Sequence, residues 1–339
     1  MNIETITTDS KIRPLNLGFL GMGWIGKHRL NALINKGIAR AAVISDISEQ
    51  NAIEVALTDT VVCSSLEKLL ENKSLDGVVI ATPSALHAQQ AQMALKAGFP
   101  VFCQKPLGRN LNEVKSVVDT AMAKDKLLGI DFSYRFLKTV YMVEKLIRCG
   151  DIGKVFAVDA VFHNAYGPDK SWFYNSELSG GGCVIDLGIH LVDLILWIFD
   201  FPSVFNVQSR LYAYGNRIRG KAKEVEDYAV GSFDLENGCM VNFACSWKLQ
   251  AGTDAVIALT FYGTEGALCI RNISGSFYDF KAEKYRKTSR ELLYDSPDDW
   301  GGGAIINWAN RLAKDCSFDP SICEVQKVTE VLDSIYQNS

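Results

Sequence analysis

The chain is poor in features that would assign it at sight. Its nine cysteines, at positions 63, 103, 149, 183, 239, 245, 269, 316 and 323, include no CxxC pair. Their odd number and scatter match neither a disulfide framework nor a zinc site. They read as reduced thiols serving as small apolar side chains. Basic residues are not in excess: 35 Lys and Arg face 39 Asp and Glu, for a net charge of −4. Nothing in that balance forms the positive footprint that nucleic acid or an anionic membrane requires. The first ten residues, MNIETITTDS, lack the basic start and apolar core of a signal peptide, so a cytoplasmic protein is expected. The longest apolar run, 184–201, is broken by Asp186, His190, Asp193 and Asp200 and makes a poor membrane span. No repeat or low-complexity tract is visible.

What remains is an ordinary globular composition, 48% hydrophobic and 22% charged, in 339 residues. That length exceeds one ordinary core and implies two domains. The stretch 15–46 organises the first. An apolar run at 15–20 leads into GMGWIG, then a helical pattern, then a second apolar run ending at Asp46. In a strand–turn–helix setting each glycine has a task. Gly21 allows the tight turn, Gly23 leaves room for a pyrophosphate, and Gly26 lets the helix lie close to the strand. The backbone at Trp24 and Ile25 then opens a helix whose unpaired N–H groups and dipole favour phosphate. Asp46, twenty residues beyond Gly26, is placed to accept hydrogen bonds from adenosine ribose hydroxyls and to repel a 2′-phosphate. No Arg or Lys follows within ten residues, so NAD is expected over NADP.

Strands at 15–20, 40–46, 60–63, 76–82, 100–104 and 127–132 alternate with helices at 24–36, 48–57, 65–72, 84–97 and 110–124. That alternation predicts a doubly wound parallel α/β sheet. A helix over 135–149 closes it. The strand-like runs that follow, at 155–165, 204–213, 226–236, 239–247, 254–262, 266–271 and 276–282, are joined by turns such as ENG and predict an α+β domain on a large, mainly antiparallel open sheet. The organisation expected is a polar lead-in (1–14), a dinucleotide-binding domain (15–133), a substrate and oligomerisation domain (134–300) and terminal helices (301–339) packing back on the first. A sheet of that size with an uncovered face implies a homodimer or homotetramer.

Ligands of open α/β sheets lie at the carboxyl ends of the strands. Thr82 and Pro83 end the fourth strand, and Gln104 and Lys105 end the fifth, so all four are candidate cofactor contacts. In the second domain the run VIDLGIHLVDLILWIF, 184–199, predicts one buried helix carrying Asp186, His190 and Asp193 at i, i+4 and i+7 on one stripe. An imidazole over a cleft with a carboxylate one turn away is an acid–base arrangement. The preceding GGG, 180–182, offers a backbone that a ligand could approach. His28, His87 and His163 read as structural.

Taken together, GMGWIG, ATPSALHAQQAQMALKAG, QKP and GGGCVIDLGIHLVD resemble the family of glucose-fructose oxidoreductase, inositol dehydrogenase and rhizopine-catabolism proteins, Gfo/Idh/MocA, over about residues 15–336. The resemblance implies an N-terminal Rossmann domain and hydride transfer between NAD or NADP and a sugar-like or cyclitol carbon. It implies that His190 is the general base, that Asp186 positions it and touches substrate, and that Lys105 holds the reacting hydroxyl. One departure is Gln104, where the family's EKP motif has glutamate. Substrate contacts are expected from Tyr134 and Arg135, from Tyr166, Lys170, Trp172 and Tyr174, and from the glycines before Asp186. Two alternatives are an enzyme that recycles bound NAD within one turnover and a non-catalytic cofactor sensor. No metal site is implied.

Overall fold

The computed structural model describes residues 13–221, 223–295 and 300–339; most of the expected lead-in lies outside them. Six strands, β1 (Leu15–Leu20), β2 (Ala39–Ser45), β3 (Val61–Cys63), β4 (Gly77–Ile80), β5 (Val101–Cys103) and β6 (Leu128–Ile130), form a sheet in the order β3-β2-β1-β4-β5-β6. Every pair in it is parallel. The helices between them are α1 (Trp24–Asn35), α2 (Glu49–Ile53), α3 (Leu66–Glu71), α4 (Ser84–Lys96) and α5 (Leu111–Ala123). β4 is buried along its whole length, as a strand covered on both faces must be. Ser65 and Asn110 start α3 and α5 by accepting hydrogen bonds from the backbone N–H groups of Lys68 and Glu113. α2 is shorter than its apolar pattern predicts. The Thr60 hydroxyl accepts from Leu57 N and donates to Ala41 O, which turns the chain into β3 before the helix can continue.

After a 3₁₀ turn at Ser133–Phe136, α6 (Lys138–Arg148) and β7 (Val155–Asn164) begin the second domain. α7 (Ser176–Ser179), α8 (Ile189–Ile198) and strands β8 (Val204–Ala213), β9 (Asn216–Ile218), β10 (Tyr228–Leu235), β11 (Met240–Ser246), β12 (Ala255–Gly263), β13 (Ala267–Asn272), β14 (Phe280–Arg286) and β15 (Ser289–Tyr294) follow. The nine strands order as β15-β14-β13-β12-β7-β11-β10-β8-β9. The β7–β11 pair is parallel and the other neighbours are antiparallel. β9 and β15 escape a pattern-based reading because one is three residues long and the other is a mostly exposed edge strand. β14 starts four residues later than the apolar run predicts. Ser276 and Asp279 build a turn there, with the Ser276 hydroxyl donating to Asp279 and accepting from the N–H groups of Tyr278 and Asp279.

The terminal helices are α9 (Gly303–Leu312) and α10 (Glu324–Gln337). α9 lies on the parallel sheet beside α1, where Trp308 packs on Phe102 with ring centroids 5.7 Å apart. Gly77 and Gly129 make that contact possible, since a Cβ on either would come within 3 Å of the Trp308 ring. α10 instead packs on α8 and β8, with the Ser209 hydroxyl donating to Ile335 O. Asp333 on α10 accepts from Leu111 N, which ties it to α5 of the first domain as well. One face of the nine-stranded sheet is therefore covered. Residues of the opposite face, among them Asp159, Val161, Val230, Asn242, Ala244 and Tyr262, stay half-buried or exposed.

Candidate active site

The glycine turn has the geometry that phosphate binding demands. Gly21 has φ +90°, and a Cβ on it would meet the Ala81 carbonyl at 2.6 Å. A Cβ on Gly26 would overlap the Gly21 carbonyl, whereas the corresponding space at Gly23 is open. Gly23 precedes α1 with no side-chain cap and no acidic residue in the first turn. The leading N–H groups, from Trp24 and Ile25 onward, thus face the turn as an anion cradle. Asp46 closes one side. Its carboxylate accepts from Met22 N at 2.6 Å and Ser48 N at 2.7 Å, joining the β1–α1 turn to the one after β2. Thr82 donates to Gln90 and Pro83 precedes α4. His87 spans the carbonyls of Thr82 and Pro106, which clamps together the ends of β4 and β5. Burial lowers its pKa, while both carbonyl contacts oppose that change.

Lys105, after β5, reaches into the second domain. Its ammonium donates to Asp186 Oδ1 at 2.9 Å and to the Asp186 carbonyl at 2.7 Å. Asp186 Oδ2 accepts from Trp247 Nε1 at 3.1 Å, so one carboxylate joins the two domains. Asp186 lies in a π-helical turn, Val184–Gly188, that precedes α8. The run 184–198 is helical without a break, as the sequence predicts, but its first turn is π rather than α. Asp186 and His190 stay within one turn of each other on this helix, and their side chains take different partners. Among the described residues no hydrogen bond links them; Asp186 orients Lys105 rather than the imidazole. His190 is 9% exposed and packs edge-on against Tyr134, centroids 4.8 Å apart. Burial, reinforced by the positive charges of Lys105 and Arg29, holds its pKa well below the usual histidine value. Burial likewise pushes the Tyr134 hydroxyl upward.

Other predicted residues take different roles. Arg135 forks onto Asp193, with Nε and Nη2 donating at 3.0 and 2.6 Å, and Nη1 reaches Glu324 on α10. Arg135 and Asp193 thereby join α8, α10 and the 3₁₀ turn. Tyr134 remains as a buried wall against His190. The glycines before Asp186 are approached by the protein itself. A Cβ on Gly180 would crowd Arg109, and one on Gly181 or Gly182 would overlap Tyr336 or the Glu226 backbone. Tyr166 is exposed beside Phe277, and Trp172 stacks on Phe173 with centroids 3.8 Å apart. Tyr174 turns inward against Trp247, and Lys170 makes an exposed pair with Asp169. Gln104 donates to Asp131 and accepts from Lys105 N, both at 2.8 Å.

Sequence reasoning missed several residues around the site. Glu226 is buried and accepts from the N–H groups of Gly182 and Val184, capping the π-helical turn, while Tyr336 donates to it. Trp300 stacks on Trp24 at 5.9 Å, lies 5.1 Å from Tyr278 and packs edge-on with Tyr134. Trp247 continues the inward alternation of Val241, Phe243 and Cys245 and so read as core rather than site, while Trp300 lies outside any regular element. Asp131 and its neighbours at the end of β6 were findable by the strand-end rule that identified Lys105.

Two family models match the chain. One, described as the oxidoreductase family with an NAD-binding Rossmann fold, matches residues 15–132, and the GFO/IDH/MocA C-terminal domain matches 140–269. D-glucoside 3-dehydrogenase of Escherichia coli (strain K12) is 25% identical over 293 residues, covering 83% of this chain and 81% of that protein. Inositol 2-dehydrogenase of Gluconacetobacter diazotrophicus is 27% identical, covering 72% and 71%. The solved structure of levoglucosan dehydrogenase in complex with NADH and levoglucosan superposes with a TM-score of 0.79 at 21% identity, covering 96% of this chain and 97% of that one.

Proposed function

Because the chain belongs to the GFO/IDH/MocA oxidoreductase family, with an NAD(P)-binding Rossmann domain, we propose that it oxidises a secondary hydroxyl of a sugar, cyclitol or sugar derivative, with NAD as the partner. Bound at the glycine turn, the dinucleotide supplies the hydride acceptor and the protein supplies binding, orientation and electrostatics. The single observation that carries this reading is the convergence of Lys105 from the first domain with Asp186 and His190 from the second.

In this reading His190 is the base. Held neutral by burial beside two cations, it has an unprotonated ring nitrogen to take the hydroxyl proton. The Lys105 ammonium donates to the hydroxyl oxygen and stabilises the negative charge that develops there. Asp186 keeps Lys105 aimed, and Trp247 holds Asp186 in turn. Tyr134, Tyr278 and Trp300 supply aromatic faces suited to the C–H faces of a ring sugar, and Tyr166 and Trp172 stand further out. Asp46, with no cation in the following helix, supports NAD over NADP. The uncovered face of the nine-stranded sheet supports assembly into a homodimer or homotetramer.

Lys105→Ala and His190→Ala test the roles. Each is expected to lower kcat by about 10²–10⁴-fold, with NAD affinity retained, as loss of a positioned acid–base or charge-stabilising group predicts. Turnover within a few-fold of wild type in either variant would overturn the assignment.

A further inference from the structure

At the departure from the family motif, the carboxylate expected at residue 104 has a counterpart at a neighbouring position. Asp131, just after β6, is 1% exposed, and Arg29 on α1 is 3% exposed. Arg29 Nε donates to Asp131 Oδ2 at 2.5 Å and Arg29 Nη2 donates to Ser133 Oγ at 3.0 Å; Ser133 donates to Asp131 Oδ1. The same Oδ2 accepts from Gln104 Nε2 at 2.8 Å. At its other end Gln104 Oε1 accepts from the backbone N–H of Lys105 at 2.8 Å.

The orientation of this amide follows from its partners. A carboxylate only accepts and a backbone N–H only donates, so Gln104 must turn its NH₂ to Asp131 and its oxygen to Lys105. Glutamate at 104 could serve the Lys105 N–H but would set a second carboxylate against Asp131. Two carboxylates at that distance cannot both stay ionised without a large cost. Glutamine satisfies both neighbours at once.

We infer that Gln104 and Asp131 are a matched pair, and that Asp131, itself held by Arg29, acts through Gln104 as a positioning residue for Lys105. The chain runs from α1 through the ends of β6 and β5 to the lysine backbone, while the lysine ammonium is fixed on Asp186. This inference rests on the role proposed above for Lys105.

A double-mutant cycle tests it: Gln104→Glu, Asp131→Asn and the two together, in the full-length protein. Gln104→Glu is expected to lower kcat at pH 8 by about tenfold or more, with KM and the Kd for NAD changed by less than about threefold. The loss should narrow at pH 6, where the facing carboxyls can share a proton. Adding Asp131→Asn should recover most of the lost kcat, because the introduced carboxylate then faces an amide donor. Melting temperatures should show the same non-additive recovery. Gln104→Leu, which adds no charge, should also lower kcat more than it raises KM. Gln104→Glu with kcat within about twofold of wild type at pH 8, or a double variant no better than the worse single one, would overturn the inference. Coupled melting temperatures with unchanged kcat would overturn the positioning role. If the wild type oxidises no polyol, the functional reading fails, and the pairing is judged on melting temperatures alone, where additive shifts would overturn it.

Discussion

In the proposed mechanism His190 sets the pH behaviour of the site. The imidazole is buried beside two cations, so its folded pKa lies well below the ordinary 6.5. A base with a depressed pKa stays competent as pH falls through neutrality. The acid limb of kcat/KM for alcohol oxidation is therefore expected below pH 6.5, and a limb above pH 7 would contradict a buried neutral His190. The same shift affects folding. Below pH 6.5 the unfolded chain binds protons that buried His190 and His87 resist, so both groups reduce stability as pH drops. Legibility at this scale followed side-chain reach. Gly21, Gly23, Gly26 and Lys105 could be read from strand-end position and backbone need, both local properties. Arg135 could not, because its partners Asp193 and Glu324 lie 58 and 189 residues away.

Among the elements, the parallel sheet was legible because fully buried strands read as apolar runs with short connections. The π-helical turn at Val184–Gly188 was not, since a single widened turn leaves no mark on an apolar sequence. Asp186, within that turn, pairs with Lys105, while Asp193, on the regular part of α8, pairs with Arg135. GGG at 180–182 was legible as a site of close approach, but not for what approaches. Arg109, Tyr336 and Glu226 do, and Glu226 caps the turn that carries Asp186. The nine-stranded sheet carries its own prediction. Ala244 on β11 lies half-buried on the uncovered face, flanked by Val161 of β7 and Val230 of β10. Light scattering should find an oligomer for the wild type and a monomer for Ala244→Lys, because a charge in an apolar contact lacks a partner. A monomeric wild type at micromolar concentration would contradict assembly through this face.

In the whole molecule the two domains meet at the candidate site through the Asp186 carboxylate, and elsewhere through α10 and α5. Lys105 comes from the parallel sheet, Asp186 and Trp247 from the second domain, and Trp300 crosses to stack on Trp24 beside the glycine turn. α9 covers the parallel sheet and α10 ties the second domain to α5. That division of labour fits an enzyme that binds its dinucleotide on one domain and its substrate on the other. The most direct test incubates purified protein with a panel of neutral sugars, glycosides and cyclitols, with NAD or NADP in parallel. NADH absorbance is followed and the products are identified by mass spectrometry. The expected result is NADH formation matched by a keto product two mass units lighter, faster with NAD than with NADP. Product without NADH would point to cofactor recycled within the turnover, and tight NAD binding with no product from any polyol would contradict the account in favour of a sensor.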